Sequence, residues 1–292
     1  MTVCAVVVTR NRTALLRECL AALEGQTCRV QEIIVVDNAS TDDTVATVRR
    51  EFPAAHLLML SKNEGGAGGF HEGMKAAMEK GFDWIWLMDD DTIPTPTALE
   101  RLLESLDKLE GLPQPLILAS KVVWTDGLLH PKNLPAARLD ETWGEVFLSG
   151  TARGLLLIRS ASFVSILVSR QAVVEHGLPH KHYFIWGDDG EYTARVMRDG
   201  AGYLVPGSVV HHKTAQKESV HLDRAGSRQY YYELRNKLFW LRGSAWRRRE
   251  KVHIVVATLM GLYWYLARSR FQPRSLVLVA RAVRDGLTQP AE

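Results

Sequence analysis

The chain has 292 residues, 46% of them hydrophobic and 24% charged, which excludes a disordered or fibrous protein and allows one large α/β domain with an appendage. Its net charge of +3 hides an asymmetry: from Arg224 to Arg284 there are 14 Lys/Arg against two acids, Glu233 and Glu250, so a basic C-terminal part follows an acidic body. The three cysteines, Cys4, Cys19 and Cys28, have no paired metal spacing and read as core thiols of a reducing compartment, and no basic-then-apolar leader is legible, so a secretory signal is not expected.

The first hundred residues alternate between two periods. Val3 to Val8 is an apolar, β-branched strand, followed by helical spacing at Leu15, Leu16, Cys19, Leu20 and Leu23. Glu32 to Val36 is a second strand, Ser40 to Asp43 caps a helix over Thr44 to Glu51, and a third strand lies near His56 to Leu60. Lys62 to Gly69 reads as a glycine-rich loop, Phe70 to Lys80 as a helix, and Trp84 to Met88 as a fourth strand. Such an order predicts a twisted, mostly parallel sheet flanked by helices, with its ligand at the carboxyl ends of the strands.

Further on, Thr97 to Leu109 is an amphipathic helix and Leu116 to Val123 a strand, while 124 to 151 has no clear period and reads as an excursion near the pocket mouth. Arg170 to His176 is helical, a helix runs from about Asp188 toward Asp199, and Tyr203 to Val210 extends toward His211-His212.

Polar residues gather where these strands end. Asp89-Asp90-Asp91 closes the apolar run Trp84 to Met88; three adjacent carboxylates repel one another unless a divalent cation or several donors hold them ionised, so the triplet has the form of a D-x-D metal motif for Mg²⁺ or Mn²⁺ shared with substrate phosphates. Asp37, at the second strand tip, can accept from a base or ribose, although a turn would use the same residue. Asn63-Glu64-Gly65-Gly66-Ala67-Gly68-Gly69 lacks the spacing of a dinucleotide fingerprint, yet its glycines let backbone amides approach a diphosphate or sugar at a helix start. Trp186-Gly187-Asp188-Asp189-Gly190-Glu191 puts adjacent acids at a pocket wall, where one of the two aspartates is a candidate general base.

Taken together and in order from residue 3 to about 212, these motifs resemble the inverting family-2 glycosyltransferases of GT-A fold. Within that family, the Gly-Gly-Ala-Gly-Gly-Phe run and the Trp-x-Asp-Asp-x-Glu pattern look most like bacterial galactofuranosyltransferases, with rhamnosyltransferases as near neighbours. The resemblance implies that Thr9, Arg12 and Asp37 hold the nucleoside of a nucleotide-diphosphate sugar, with Asn63, Gly66, Gly68, Gly69 and Asp90 completing the donor site. It implies that Asp89, Asp91 and His211 ligate Mg²⁺ or Mn²⁺; His212 beside His211 leaves that choice open. Asp189 would be the base, Asp188 and Glu191 would bind sugar hydroxyls, and Trp186 would wall a sugar face; Gly187, inserted before the acidic pair, lets Asp188 and Asp189 exchange roles.

These residues divide the chain into a catalytic domain over 1–215, with a donor half over 1–95 and an acceptor half over 96–215, and a basic helical module over 216–292. Val252 to Ala267 is shorter than the roughly 20 apolar residues of a spanning helix and, with its arginines and aromatics, fits a helix lying on an anionic membrane or packing on the body. No nucleic-acid motif accompanies the charge. The expected protein is cytoplasmic, peripheral on the inner face of the plasma membrane, and acts on a glycan or lipid-linked acceptor. Two other classes compete: a nucleotidyltransferase, which would want a basic glycine-rich loop after the first strand, and a non-catalytic nucleotide-sugar-binding protein, which would not need a second acidic cluster.

Overall fold

The computed structural model describes residues 1–215, 217 and 227–291; residue 216, where the helical module is expected to begin, and Arg224 lie outside them. The N-terminal half is a run of strand–helix units: β1 (Val3–Thr9), α1 (Thr13–Glu24), β2 (Glu32–Asp37), α2 (Thr44–Glu51), β3 (His56–Met59), α3 (Gly65–Glu79) and β4 (Trp84–Asp89). β1 pairs in parallel with both β2 and β4, and β2 with β3. Alternate residues of β1 enter two different cores: Val3, Ala5 and Val7 pack against α1 through Leu16, Cys19, Leu20 and Leu23, whereas Cys4, Val6 and Val8 meet Phe70, Met74 and Ala77 of α3. Burial on both faces explains why the strand reads as a continuous apolar run.

The second half adds β5 (Thr92–Pro94), α4 (Ala98–Asp107), β6 (Pro115–Val123), β7 (Ala136–Ala137), α5 (Gly144–Ala152), β8 (Leu156–Ser160), β9 (Ile166–Ser169), α6 (Arg170–His176), α7 (Asp188–Val196) and β10 (Ala201–His212). The strands form one sheet in the order β3-β2-β1-β4-β9-β6-β10-β8-β7, with β5 paired to β10. β9 enters antiparallel between β4 and β6, while β10 lies parallel to β6. The segment 124–151, which shows no period, holds all but the last residue of α5; Trp143, Val146 and Phe147 pack on the core, and the turn at 130–133 backs the end of β10.

Three helices follow: α8 (Arg228–Arg242), α9 (Arg248–Arg268) and α10 (Pro273–Thr288). They share a small core of Tyr230, Leu234, Tyr265 and Ala282. Among the described residues, no helix is long and apolar enough to cross a membrane.

Candidate active site

Strand register assembles the first half of the site. Thr9 stands beside Asp37 and Val8 beside Asp89, so the ends of β1, β2 and β4 lie in one row. Thr9 Oγ1 donates to Asp90 Oδ2 at 2.8 Å, and Arg12 Nη1 lies 3.2 Å from Asp90 Oδ1 and 2.8 Å from Asp91 Oδ2. Both residues, expected at the nucleoside, are engaged with the acidic turn. Asp37 is 3% exposed; its Oδ2 accepts from Ser40 N at 3.2 Å, while Oδ1 is buried without a hydrogen-bond partner among the described residues. A buried acceptor left this way fits a donor group brought by a ligand.

The glycine run differs from expectation. α3 begins at Gly65, so Gly66, Gly68 and Gly69 lie within the helix. Gly65 takes φ +74°, and a Cβ there would fall 1.9 Å from the Phe184 carbonyl oxygen, so only glycine allows this approach. At Gly69 a Cβ would sit 2.4 Å from Val8 Cγ1, so that residue serves helix-on-strand packing; at Gly68 it would meet Glu64, whereas Gly66 faces open space. The start of the helix is fixed by side-chain amides: Asn63 Oδ1 accepts from Gly65 N at 3.0 Å, and Asn38 accepts from Glu64 N at 2.8 Å while donating to Gly65 O at 2.7 Å.

The residues that could hold a metal are brought together by a three-residue strand. β5 follows Asp91 directly and pairs antiparallel with β10, matching Thr92 with His212 and Ile93 with His211. Neighbouring residues of a strand face opposite sides. His212, not the expected His211, therefore joins the acids: ligand atoms of Asp89, Asp91 and His212 all lie within 4.8 Å of one another. His212 Nδ1 lies 2.9 Å from Asn133 Oδ1, and Asn133 Nδ2 donates to Ser162 Oγ, so the side of the ring away from the acids is held by Asn133. Nε2 faces Asp91 Oδ1, 3.1 Å away. Two carboxylates and an imidazole nitrogen gathered in this way make a donor set that fits a divalent ion. Burial, then the charges of Asp91, Asp90 and Asp188, push Asp89 well above the usual carboxylate range. Burial alone would raise Asp91 too, but His212 and Arg12 outweigh it and hold it low.

The second acidic cluster opens α7. Gly187 precedes the helix at φ +81°, a left-handed position that suits glycine, which accounts for its insertion before the acids. Asp188 is 6% exposed and Asp189 half-buried; both are raised above the ordinary carboxylate value, first by burial, with Asp189 adding to Asp188 by repulsion. Such carboxyls suit proton transfer near neutral pH. Glu191, expected at sugar hydroxyls, is 2% exposed and turned into the protein, where its Oε1 meets Arg195 Nε at 2.7 Å; Arg195 in turn donates to the carbonyls of His176 and Leu178. An (i, i+4) pair inside a helix turns both side chains onto the same buried face, so its visible task is to hold the 176–178 segment.

The loop carrying Trp186 holds two non-glycine residues in the left-handed region, Phe184 at φ +66° and Trp186 at φ +62°. Bulky residues rarely adopt it, and surrounding contacts must hold them there. Those contacts come from α8. Asn236 Nδ2 reaches the carbonyls of Tyr183, Ile185 and Trp186 at 3.1, 2.9 and 2.6 Å; Arg235 Nη2 donates to His182 O and Tyr183 O; Trp240 Nε1 donates to Gly187 O at 2.8 Å. Asn38, Asn133, Arg235, Asn236 and Trp240 are site-forming residues that sequence reasoning did not single out; the one available signal was a polar pair on the inward face of an otherwise aromatic helix.

Comparison with known proteins accords with this geometry. The model of Glycosyl transferase family 2 matches residues 4–156. The chain is 33% identical to the galactofuranosyltransferase GlfT1 of Mycolicibacterium smegmatis over 215 residues, 70% of each chain, and 31% identical to that of Mycobacterium tuberculosis H37Rv over 222 residues, 69% of each. In fold it matches S. aureus TarS 1-349 with a TM-score of 0.65 at 14% identity, covering 98% of this chain and 80% of that one, and the UDP-GlcNAc complex of TarS with a TM-score of 0.61 at 15% identity, covering 98% and 81%. The α/β architecture is the GT-A fold implied by the sequence motifs, and the chain belongs to glycosyltransferase family 2.

Proposed function

We propose that this glycosyltransferase is inverting and metal-dependent, and that it moves galactofuranose from UDP-galactofuranose to a hydroxyl of a cell-envelope glycan or lipid-linked acceptor. It would do so peripherally at the cytoplasmic face of the plasma membrane. The observation that carries this reading is the cluster of Asp89, Asp91 and His212 at the strand ends, their ligand atoms within 4.8 Å of one another, with the second acidic pair, Asp188-Asp189, opening α7. The named activity of the relatives supports the choice of sugar, and the UDP-GlcNAc bound to TarS supports a nucleotide-sugar donor.

In this mechanism Asp37 Oδ1 accepts from the nucleoside, and Asp189, with Asp188 as its neighbour and alternate, takes the proton of the acceptor hydroxyl. The freed oxygen bonds to the anomeric carbon on the face opposite the nucleotide. The bond from that carbon to the diphosphate oxygen breaks, and its electron pair leaves with the nucleoside diphosphate, which inverts the anomeric centre. Mg²⁺ or Mn²⁺ held by Asp89, Asp91 and His212 would neutralise charge on the departing diphosphate. Trp186 walls the sugar face, and the backbone around Gly66 borders the donor.

The test is a donor panel of UDP-galactofuranose, dTDP-rhamnose, UDP-glucose and UDP-galactose with Mn²⁺, scored by transfer or hydrolysis and by the anomeric configuration of the product. Preference for dTDP-rhamnose would overturn the donor and leave the mechanism, whereas a retained configuration would overturn the mechanism.

A further inference from the structure

α8 and α10 enclose a cleft of about 680 Å³ at the side of the molecule, lined by Arg228, Arg274, Arg281, Tyr231, Tyr232 and Val277 among others. Its charge is unusual. Among the described residues no carboxylate lies within ion-pair distance of Arg228 or Arg274, and Arg281 has only Asp285 at 3.7 Å, a carboxylate already held by Arg284 at 2.7 Å and by the Tyr231 hydroxyl at 2.7 Å. Two of the guanidiniums lie over aromatic rings instead: Arg228 is 5.8 Å from the Tyr232 ring, whose hydroxyl also accepts from its Nη2 at 3.4 Å, and Arg281 is 5.3 Å from that of Tyr231. Arginines stacked in this way keep their donor forks available for an oxyanion, and arginine suits phosphate above other anions because the fork binds two oxygens at once.

The cleft is also bordered by exposed apolar surface. Val277 is 68% exposed, and Leu276 and Phe271 continue the same end of α10 and the turn before it. Across that turn, α9 exposes Val252, Val256, Leu259, Met260, Tyr263 and Trp264 along one helical face. Arginines flank this face at both ends, Arg248 and Arg249 at one and Arg268 and Arg270 at the other. A water-soluble phosphate has no use for such a face. A lipid has, because its head can enter the basic cleft while its chains and neighbours cover the apolar helix.

From this juxtaposition we infer that the α8–α10 cleft is a binding site for the phosphate head of a membrane lipid. The cleft adjoins the catalytic loop: the Tyr232 ring stacks on that of Phe184 with centroids 5.2 Å apart and planes within 17°. A phosphate-headed lipid seated here brings whatever its head carries beside the loop that leads into Asp188 and Asp189, which makes the cleft the anchoring subsite for a lipid-borne acceptor. That last step rests on the transfer reaction proposed above; the binding step does not.

The test is vesicle flotation of the full chain, without sugar donor, on phosphatidylcholine vesicles carrying phosphatidic acid or, at matched surface charge, phosphatidylserine. Tighter binding to phosphatidic acid is expected. Replacing Arg274→Gln and Arg281→Gln together should weaken that binding by roughly thirtyfold, since each basic residue at an anionic surface contributes about a factor of five, and should abolish the preference for phosphatidic acid. Replacing Arg248→Gln and Arg249→Gln removes the same charge outside the cleft and should leave the preference intact. Equal binding to both vesicles, equal loss of the phosphatidic acid preference in the two double variants, full competition by inorganic phosphate alone, or self-association burying the α9 face in solution would each overturn the inference. Because no turnover is measured, its failure would leave the glycosyl-transfer reading standing, and the donor panel can fail without touching this result.

Discussion

Replacing Asn236 with alanine removes a side chain, 2% exposed on α8, whose Nδ2 reaches three carbonyls of the loop before the acidic pair. Tyr183 O keeps a second donor in Arg235 Nη2 at 2.6 Å, so the loss falls on Ile185 O and Trp186 O. At about 1 kcal/mol net for each hydrogen bond, the ordered loop loses about 2 kcal/mol. That is comparable to the cost of holding one bulky residue in the left-handed region, about 1–2 kcal/mol, and the loop holds two such residues, Phe184 and Trp186. The balance therefore shifts by a factor of about 30 toward loop conformations that do not present Asp188 and Asp189.

The expected result is a fall of roughly ten- to thirtyfold in kcat/KM, while UDP affinity, proposed to rest on Asp37 at the end of β2, changes by less than about threefold. A loss of this size lowers the melting temperature by only a few degrees for a chain of this length, so the variant can be assayed folded. Asn236→Asp should be worse than alanine, because it turns a carboxylate on the same carbonyls. Unchanged kcat/KM in a folded Asn236→Ala protein, or an aspartate variant as active as wild type, would refute the view that α8 positions the catalytic loop.

Titration with Mn²⁺ followed by electron paramagnetic resonance should show metal affinity lost in His212→Ala and kept in His211→Ala, with Asn133→Leu weakening it by about 10- to 100-fold through loss of the ring's orienting partner. Asp37→Asn should weaken UDP binding by roughly tenfold or more, measured by calorimetry, because it discharges a buried carboxylate whose Oδ1 has no hydrogen-bond partner among the described residues. Asp189→Asn should abolish transfer while leaving nucleotide binding intact, with Asp188→Asn as its companion; unchanged turnover in the first and loss in the second would exchange their roles. In wild type the base must be ionised, so kcat/KM should rise with pH through a limb lying between about 6, the value for Asp189, and about 8, the value for Asp188. The sign for stability is opposite: a carboxyl whose pKa is raised by folding binds its proton more tightly when folded, so stability falls as pH rises from 3.8 to about 6 for Asp189 and is flat above. Asp189→Asn should therefore gain stability over wild type at pH 8 and not at pH 3, as read by thermal melts.

The parts of this site legible in the sequence were those that lie at strand ends. Val3–Thr9, Glu32–Asp37 and Trp84–Asp89 announce themselves as apolar runs closed by polar residues, and the parallel pairing then brings Thr9, Asp37 and Asp89 into one row without further information. The glycine run misled because composition records only that side chains are missing, not why. Gly69 is small so that α3 can sit against Val8, a demand made by a strand some sixty residues earlier. The histidine choice turned on β5, only three residues long, whose register against β10 decides which of two adjacent side chains meets Asp91. Asn236 was hidden for a similar reason: its partners are carbonyls about fifty residues away, and the polar Arg235-Asn236 pair among the aromatics of α8 does not say which loop it holds.

These contacts also bear on what the C-terminal helices are for. Arg159 of β8 is 5% exposed; its guanidinium donates to Ala194 O in α7 and to Ala245 O, and it pairs with Glu250 in the first turn of α9 at 2.7 Å. Removing the partners of a buried charge costs about 3–5 kcal/mol, and the Asn236 bonds add to that. One side of α7 is thus tied to α9 and its N-terminal loop to α8, so the acids at its start are held from both directions by helices that lie outside the sheet. The same α8 contributes Tyr231 and Tyr232 to the basic cleft. The element that shapes the loop before Asp188 is therefore also the element that walls the cleft, so an acceptor anchored there, as proposed, would have its position set relative to that loop through one helix.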